Sequence, residues 1–377
     1  MADRIRNVYL VLSQKCNLTC SYCYAQGGDF GQESRLMDAA TMKRALDRIA
    51  ALADDTLVVS FFGGEPLLNF GLMKETVAYG NELARKQGIQ LRYALTTNGT
   101  VMTDEILTFI KEHVPHVAVS LDGTALVNDR ERQFRNGSRG VHDSVVETIG
   151  KLKEAGIRFG VRATVTERNA DELAVAAKYL ARLGPESVRM APAFRGDGWP
   201  EHAFGQLKRS LCALEIDALE QIAAGGDPTT GEHLFKVLFN VVNGERRLHP
   251  CAAGMGVVAV AANGDVYPCD HFIGVEAFCM GNVDDEEWPA ERFSSVCERM
   301  KRNSVEHRSR CRQCSVRHIC GGECHVHSLL SQGDIDTASP QYCALAQGLS
   351  RQLLDKVITI SGQPARAKRL RDYINGA

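Results

Sequence analysis

The sequence has no long hydrophobic run, no excess of one charge sign and no internal repeat or low-complexity segment. None of its apolar stretches approaches the roughly 18 residues of a membrane-spanning helix, and the run at 8–12 is too short for a secretory signal. The 44 basic and 46 acidic residues leave a formal charge of -2, so nothing global favours nucleic acid or an anionic membrane. We therefore expect a cytoplasmic protein with neither of these as its partner.

Disulfides are also poorly supported, because the 13 cysteines are an odd number and too sparse for a disulfide scaffold in 377 residues. They are grouped at short spacings, which favours metal ligation. The first group, Cys16, Cys20 and Cys23, directly follows the apolar run at 8–12. Structural zinc takes four protein ligands, whereas an iron–sulfur cluster can use three cysteines and leave one iron open. A disulfide with a spare thiol and simple buried cysteines are the alternatives.

The pattern up to about residue 195 alternates short β-rich runs with amphipathic segments of helical period. This predicts βα units around a parallel sheet, an open barrel or a strongly curved sheet, with ligands at the C-terminal strand ends. The predicted strands are 8–12, 57–62, 91–96, 117–121, 159–165 and 188–191. The predicted helices are one capped by Asp38 and those near 71–88, 103–113, 143–155 and 171–183.

A breaker-rich stretch at 193–200 predicts the end of this first region. Two helical segments follow at about 201–224 and 232–243, before a cysteine-rich, irregular part. We expect three domains, which are 1–195, a helical linker at 196–248, and 249–377 with a C-terminal helix.

The Cys-x3-Cys-x2-Cys loop, with Tyr22 before its last cysteine, resembles the signature of the radical S-adenosylmethionine (SAM) family. The resemblance implies an α/β fold with a partial (β/α)6 TIM-like barrel. It also implies a 4Fe-4S cluster on Cys16, Cys20 and Cys23 whose open iron chelates SAM. Cleavage of SAM would then release a 5'-deoxyadenosyl radical that takes a hydrogen atom from the substrate. An external donor of the flavodoxin or ferredoxin type would supply the electron.

A Gly-Gly-Glu-Pro sequence at the end of the second predicted strand resembles the SAM-binding motif of that family. Glycines allow close backbone approach to a ligand, and the glutamate can accept hydrogen bonds from a cation. The resemblance extends to residues that approach the ribose or the carboxylate of SAM, although these also suit a plain turn or ordinary strand ends. The SAM-binding residues that it implies are Tyr22, Gly63, Gly64, Glu65, Pro66, Asn98, Ser120 and Arg162.

The second cysteine group has the spacing Cys-x2-Cys-x5-Cys-x3-Cys and resembles the SPASM extension, which binds two auxiliary 4Fe-4S clusters. The resemblance assigns the outer cluster to Cys311, Cys314, Cys320 and Cys343. It assigns the inner cluster to Cys251, Cys269 and Cys324. The SAM cluster and the two auxiliary clusters make three. A zinc ribbon is the alternative, since Cys-x2-Cys pairs also suit tetrahedral zinc.

The inner cluster has three assigned ligands, because the stretch at 245–250 lacks the additional cysteine of eight-ligand family members. Its fourth iron is either open to a substrate thiolate or closed by His249, Cys279, Cys297 or a small molecule. Asp270 directly follows Cys269, and sulfatase maturases have an aspartate at the matching place that removes a proton from the substrate. The alternative for Asp270 is a turn residue that caps the next segment.

The combination resembles radical SAM/SPASM enzymes that oxidise peptides and proteins, and the segment at 130–137 resembles a loop of peptide maturases. We expect a maturase that forms a thioether or carbon–carbon crosslink in a ribosomally synthesised precursor peptide. The second possibility is an anaerobic sulfatase maturase that makes formylglycine from Cys or Ser. Only fifteen residues precede Cys16, so leader recognition is expected to be built in or supplied by a separate protein.

A non-catalytic iron–sulfur or zinc scaffold is the non-enzymatic alternative. The intact first cysteine triad together with Gly-Gly-Glu-Pro argues against it, because a scaffold needs no SAM site.

Overall fold

The structure is a computed structural model that describes residues 4–137, 140–193 and 198–376. The strands of the described ranges are β1 (Ile5–Ser13), β2 (Ala53–Gly63), β3 (Gln90–Thr97), β4 (His116–Ser120), β5 (Phe159–Val165), β6 (Ser187–Pro192), β7 (Val257–Val260) and β8 (Val266–Tyr267). The six strands predicted from the sequence are all present, with ends that differ by a few residues. A sheet contains the consecutive neighbours β4-β3-β2-β1-β7-β8.

The helices predicted between the strands and after β6 are also confirmed, and the structure adds a short helix after β4. The helices of the described ranges are α1 (Ala39–Ala50), α2 (Phe70–Gln87), α3 (Asp104–His113), α4 (Ala125–Glu131), α5 (His142–Glu154), α6 (Leu173–Arg182), α7 (Glu201–Ala224), α8 (Glu232–Asn243), α9 (Glu291–Arg302), α10 (Arg317–Cys320), α11 (His325–Gln332), α12 (Pro340–Ser361) and α13 (Pro364–Gly376). None of them is both long and apolar enough to cross a membrane.

Local sequence explains why these elements form. The Asp38 carboxylate accepts a hydrogen bond from the Thr41 amide at 2.7 Å, which caps the first turn of α1. Strand β1 is apolar without alternation, and Val8, Leu10 and Val11 are at most 1% exposed. Such a run is typical of a parallel strand covered on both faces. Strand β1 is indeed parallel to both of its neighbours, β2 and β7.

The motifs predicted to carry the chemistry follow consecutive parallel strands. The cysteine loop comes after β1, Gly64-Glu65-Pro66 after β2 and Asn98 after β3, and Ser120 is the last residue of β4. The carboxyl ends of parallel strands meet at one edge of a sheet, and this edge is where ligands bind in α/β folds. The structure thus confirms the predicted parallel sheet and places these motifs at its ligand-binding edge.

The chain divides into two compact units, Met1–Val161 with Ala252–Arg302 and Arg162–Cys251 with Asn303–Ala377. These units cut across the domains expected at 1–195, 196–248 and 249–377, which stay a prediction. The boundary expected at 195 lies outside the described residues.

Each unit has its own core. In the first unit β7 pairs with β1, so residues from the cysteine-rich part of the sequence extend the N-terminal sheet. In the second unit α7, α8, α12 and α13 pack around a buried apolar cluster that includes Leu219, Leu234, Leu353 and Leu370.

Candidate functional site

The cysteine loop lies in the first unit and is held by hydrogen bonds to its sulfur atoms. Cys16 Sγ accepts from the Leu18 amide at 3.4 Å and from Asn98 Nδ2 at 3.8 Å. Cys23 Sγ accepts from the Gly27 amide at 3.3 Å. Donors of this kind orient metal ligands and tune the metal that they hold. Asn98 therefore supports the first cysteine of the triad, while its contact with SAM stays a prediction.

Burial in the cysteine loop makes thiolates unfavourable unless a cation compensates them. Burial raises the pKa of Cys16, and it raises the pKa of Cys20 to about 12, even though the nearby Arg132 opposes the latter shift. Metal binding requires thiolates and displaces their protons. The three cysteines of this loop fit a soft iron–sulfur group with one open position.

Glycines allow the end of β2 to pack closely against the backbone at the start of the cysteine loop. The Gly64 amide donates to Ser13 O at 2.8 Å, and a Cβ on Gly64 would lie 2.5 Å from Lys15 O. A Cβ on Gly63, where φ is +137°, would lie 2.2 Å from Ser13 O. Gly28, at φ +109°, also packs against Gly64, with its Cβ position 2.9 Å from Gly64 Cα. The sequence motif includes Gly63 and Gly64, but nothing in the spacing indicates Gly28.

Glu65 is a fully buried carboxylate that ties the end of β2 to the end of β3. Its Oε1 accepts from Thr97 Oγ1 at 2.9 Å and from the Leu67 amide at 3.1 Å, and its Oε2 accepts from the Asn98 amide at 2.7 Å. Burial raises the pKa of Glu65 to about 7, although these hydrogen bonds oppose the shift. The structure thus gives Glu65 a role within the protein, and its contact with the SAM ammonium stays a prediction.

We expect the stability of the metal-free protein to depend on pH through Glu65. Between pH 4.5 and about 7 the native carboxyl keeps a proton that the unfolded chain has released, so stability falls as pH rises. The full shift corresponds to a loss of about 3 kcal/mol. Denaturant unfolding at several pH values should show a loss that is larger by about this amount in the wild type than in Glu65→Gln, because burial also raises the pKa of Glu215 to about 7 and this contribution remains in both proteins.

The exposed Glu75 on α2 provides the matched control for this experiment. Glu75→Gln should keep the pH dependence of the wild type. Equal pH dependence in the wild type and in Glu65→Gln would contradict the prediction.

A buried ion pair between Asp122 and Arg132 holds Tyr22, the aromatic residue of the cysteine loop, in place. Tyr22 Oη donates to Asp122 Oδ2 at 2.5 Å, and Arg132 Nε donates to the same oxygen at 2.9 Å. The Asp122 side chain is fully buried and that of Arg132 is 8% exposed. The guanidinium also lies 5.4 Å from the centre of the Tyr22 ring. The hydroxyl of Tyr22 is therefore committed to Asp122, and a role of Tyr22 in SAM binding stays a prediction.

The segment that follows α4 runs along the cysteine loop. The Thr19 amide donates to Gln133 O at 2.8 Å, and Arg135 Nε donates to Cys16 O at 3.1 Å. These contacts join residues more than 100 positions apart, so no local pattern could indicate them. The segment at 130–137, which resembles a peptide-maturase loop, thus supports the first cysteine ligand, and a contact with peptide stays a prediction.

Asp270 lies in the same unit as the cysteine triad. It is 7% exposed and accepts a hydrogen bond from Tyr24 Oη at 2.6 Å. Tyr24 directly follows Cys23, and its ring stacks on His271 with centroids 3.9 Å apart. Although Tyr24 as a whole is 43% exposed, desolvation of its hydroxyl, and next the Asp270 carboxylate, raise the pKa of Tyr24, so the hydroxyl keeps the proton that it donates. Tyr24 therefore connects Asp270, the predicted base, to the cysteine loop. The sequence pattern does not indicate this role of Tyr24, although the residue directly follows Cys23.

The four cysteines assigned to the outer cluster line one cavity of the second unit. Burial raises the pKa of Cys311 and Cys320, and it raises that of Cys343 to about 12. Within the described ranges, no three His, Cys, Asp or Glu side chains converge as they would around a single ion. Four cysteines are the usual ligand number of both a 4Fe-4S cluster and structural zinc, so the outer cluster stays a prediction.

The remaining predicted site residues are distributed over both units. Cys269 belongs to the first unit, whereas Cys251 and Cys324 belong to the second, and their grouping around one cluster stays a prediction. Ser120 is the half-buried last residue of β4, and Arg162 is an exposed residue of β5.

Pro66 is buried and begins a short 3-10 turn that Glu65 caps. The SAM contacts of Pro66, Ser120 and Arg162 stay predictions.

The curated relatives differ from one another in activity. The chain is 36% identical over 188 residues to an uncharacterised protein of Methanocaldococcus jannaschii, which covers 50% of this chain and 63% of that relative. It is 25% identical to an AdoMet-dependent heme synthase of Methanosarcina barkeri, over 92% of this chain and 99% of the relative. It is also 25% identical to the serine-type anaerobic sulfatase-maturating enzyme of Klebsiella aerogenes, over 83% of this chain and 77% of the relative.

Solved structures share the fold. The structure of histidine-tagged anSMEcpe with bound AdoMet matches 98% of this chain and 99% of its own, with a TM-score of 0.79 and 18% identity. Streptococcus suis SuiB bound to the precursor peptide SuiA matches 90% of this chain and 76% of its own, with a TM-score of 0.61 and 16% identity. These likenesses confirm the predicted fold class, a partial TIM-like barrel followed by a cysteine-rich domain.

Two family models match the chain, and together they cover well over half of it. The model of the radical SAM superfamily matches residues 10–180, and that of the SPASM iron–sulfur cluster-binding domain matches residues 251–315. The first match contains the cysteine triad and Gly-Gly-Glu-Pro, and the second contains four of the predicted auxiliary ligands, Cys251, Cys269, Cys311 and Cys314. The chain therefore contains a radical SAM domain at residues 10–180 and a SPASM iron–sulfur cluster-binding domain at residues 251–315.

Proposed function

We propose that this enzyme oxidises a residue of a ribosomally synthesised precursor peptide by two electrons and joins it to a second residue. The observation that carries the proposal is the buried Asp270 carboxylate, held by Tyr24 beside the cysteine triad. SAM and three 4Fe-4S clusters, when bound, supply the 5'-deoxyadenosyl radical and accept the second electron. The proposal also requires an external electron donor and a reducing cytoplasm. Where leader recognition is not built in, it requires a separate leader-binding protein.

The chemistry balances with Asp270 as the base. The substrate carbon first loses a hydrogen atom to the 5'-deoxyadenosyl radical. Attack by a neighbouring thiol then forms the C–S bond and breaks the S–H bond, releasing one proton and one electron. Asp270 takes the proton, and an auxiliary cluster, when bound, would accept the electron, so the peptide loses two hydrogens in all. Tyr24 keeps the carboxylate in place through its hydrogen bond.

Formylglycine formation is the second candidate, favoured by the likeness to the sulfatase-maturating enzyme of Klebsiella aerogenes. A serine that has lost its Cβ hydrogen atom becomes an aldehyde when its hydroxyl proton goes to a base and an electron leaves. Asp270 would take the same part in this reaction. Asp270 is therefore the base in both candidate reactions, and only their products distinguish them.

The test uses anaerobically reconstituted enzyme, SAM and a reductant with three kinds of substrate. These are small Cys-containing or aromatic-rich peptides encoded nearby, a sulfatase-motif peptide, and iron-coproporphyrin, because a heme synthase and an Fe-coproporphyrin III synthase are among the relatives. We expect a peptide lighter by about 2 Da, with a residue-to-residue link visible by tandem mass spectrometry.

A formylglycine product would replace the crosslinking proposal with the second candidate. Conversion of the porphyrin alone would contradict both. Reactions without SAM are the control and should leave all three substrates unchanged.

A further inference from the structure

Arg308, in the second unit, is a buried cation with an incomplete set of partners. Its side chain is 1% exposed. Nε donates to Asn303 Oδ1 at 2.7 Å, and Nη1 donates to Glu323 O at 2.9 Å. Nη2 is buried without a hydrogen-bond partner among the described residues. Both partners that it has are neutral acceptors, so they satisfy donors without balancing the charge.

The acidic side chains near Arg308 are engaged elsewhere. The Glu323 carboxylate accepts from the Ser339 amide at 2.6 Å, from Ser339 Oγ at 2.9 Å and from Ser328 Oγ at 3.2 Å. The Asp336 carboxylate is hydrogen-bonded to the Asn303 side chain. The Glu323 and Asp336 carboxylates offset part of the Arg308 charge from a distance, but the direct hydrogen-bond partners of its guanidinium in the described part of the chain are the neutral Asn303 Oδ1 and Glu323 O. A buried charge without a contacting counter-ion is destabilising, so we expect a bound group to complete the compensation.

The position of Arg308 indicates which bound group supplies this anion. Arg308 O accepts from the Cys311 amide at 3.1 Å, one turn before the first outer-cluster cysteine. Nη1 lies 3.0 Å from the Cβ position of Gly322. Gly322 and Glu323 line the same cavity as the four outer-cluster cysteines. The guanidinium therefore lies directly behind the wall of that cavity.

We propose that Arg308 is the internal counter-ion of the iron–sulfur cluster held by Cys311, Cys314, Cys320 and Cys343, and that it raises the reduction potential of this cluster. The inference rests on the outer cluster of the proposed function. Four thiolates give such a cluster a net negative charge, and reduction adds one more. A buried cation stabilises the reduced state more than the oxidised one, and so makes the cluster a better electron acceptor.

The test measures reduction potentials on the loaded full-length chain by electron paramagnetic resonance during a redox titration. A Cys16/Cys20/Cys23→Ala variant assigns the wave of the SAM cluster. We expect Arg308→Met to move one auxiliary wave to a more negative potential. At the wild-type midpoint, the ratio of reduced to oxidised cluster should fall at least about tenfold, which corresponds to about 59 mV for one electron.

Two further variants separate charge from structure. Arg308→Lys keeps the charge and should retain a potential close to the wild type. Arg310 lines the same cavity but is exposed, so Arg310→Gln should shift the wave much less because solvent screens its charge.

Each outcome decides the proposal. An unshifted wave in Arg308→Met would overturn it and would leave Arg308 as a structural brace. If Arg308→Met fails to load the cluster, loading of Arg308→Lys at the wild-type potential supports the proposal, and loss of the cluster there overturns it. A wild type without auxiliary clusters would overturn the cofactors of the proposed function and this inference together, whereas the first outcome overturns the inference alone.

Discussion

Replacing Cys16, Cys20 and Cys23 together by alanine is expected to abolish SAM cleavage and to remove one of three clusters. The loaded wild type should contain about twelve iron atoms per chain and the variant about eight, because each cluster contributes about four. The loss of activity should be complete, since these residues are all three predicted ligands of the SAM cluster. Iron and sulfide analysis with an assay for 5'-deoxyadenosine measures both effects.

Cys212 provides the control for the number of thiols. It lies in the second unit, is hydrogen-bonded to Gln352, and belongs to neither predicted ligand group. Cys212→Ala should keep the iron content and the SAM cleavage of the wild type. A wild-type total of about four iron atoms with bound zinc would contradict the three-cluster proposal, and the proposed electron path would have to be abandoned with it.

Asp270→Asn is expected to separate SAM cleavage from product formation. The radical-forming groups remain, so 5'-deoxyadenosine should still appear. The peptide product should decrease by about 10² to 10⁴-fold, the usual contribution of a positioned general base. The ratio of 5'-deoxyadenosine to peptide product, followed by liquid chromatography and mass spectrometry, therefore measures the role of Asp270 directly.

Two variants sharpen the Asp270 experiment. Tyr24→Phe removes the hydrogen bond at 2.6 Å but keeps the carboxylate, so its loss of product should be smaller than that of Asp270→Asn. Asp284 is a half-exposed carboxylate paired with Arg44, and Asp284→Asn should leave the ratio unchanged. Product formation by Asp270→Asn at the wild-type rate would show that another group takes the proton.

Much of the first unit follows from the sequence because its determinants are local. The apolar run of β1, the Asp38 cap of α1 and the alternation of strand and helix predict a parallel sheet. The spacing of Cys16, Cys20 and Cys23 predicts the metal site in the same way, since three ligands in one loop need no distant contact to be recognised. The extra cysteine-rich part was equally visible from its spacing.

The tertiary structure alone decided which distant residues support these local features. It joined β7 to β1, placed Tyr24 against Asp270, and ran the segment around Arg135 along the cysteine loop. It also enclosed Arg308 behind the outer cysteines, where a surface position would have been the ordinary expectation for an arginine. Contacts between residues far apart in the chain, and the burial of their side chains, depend on how the helices and strands pack. The period or spacing of a short segment does not determine that packing.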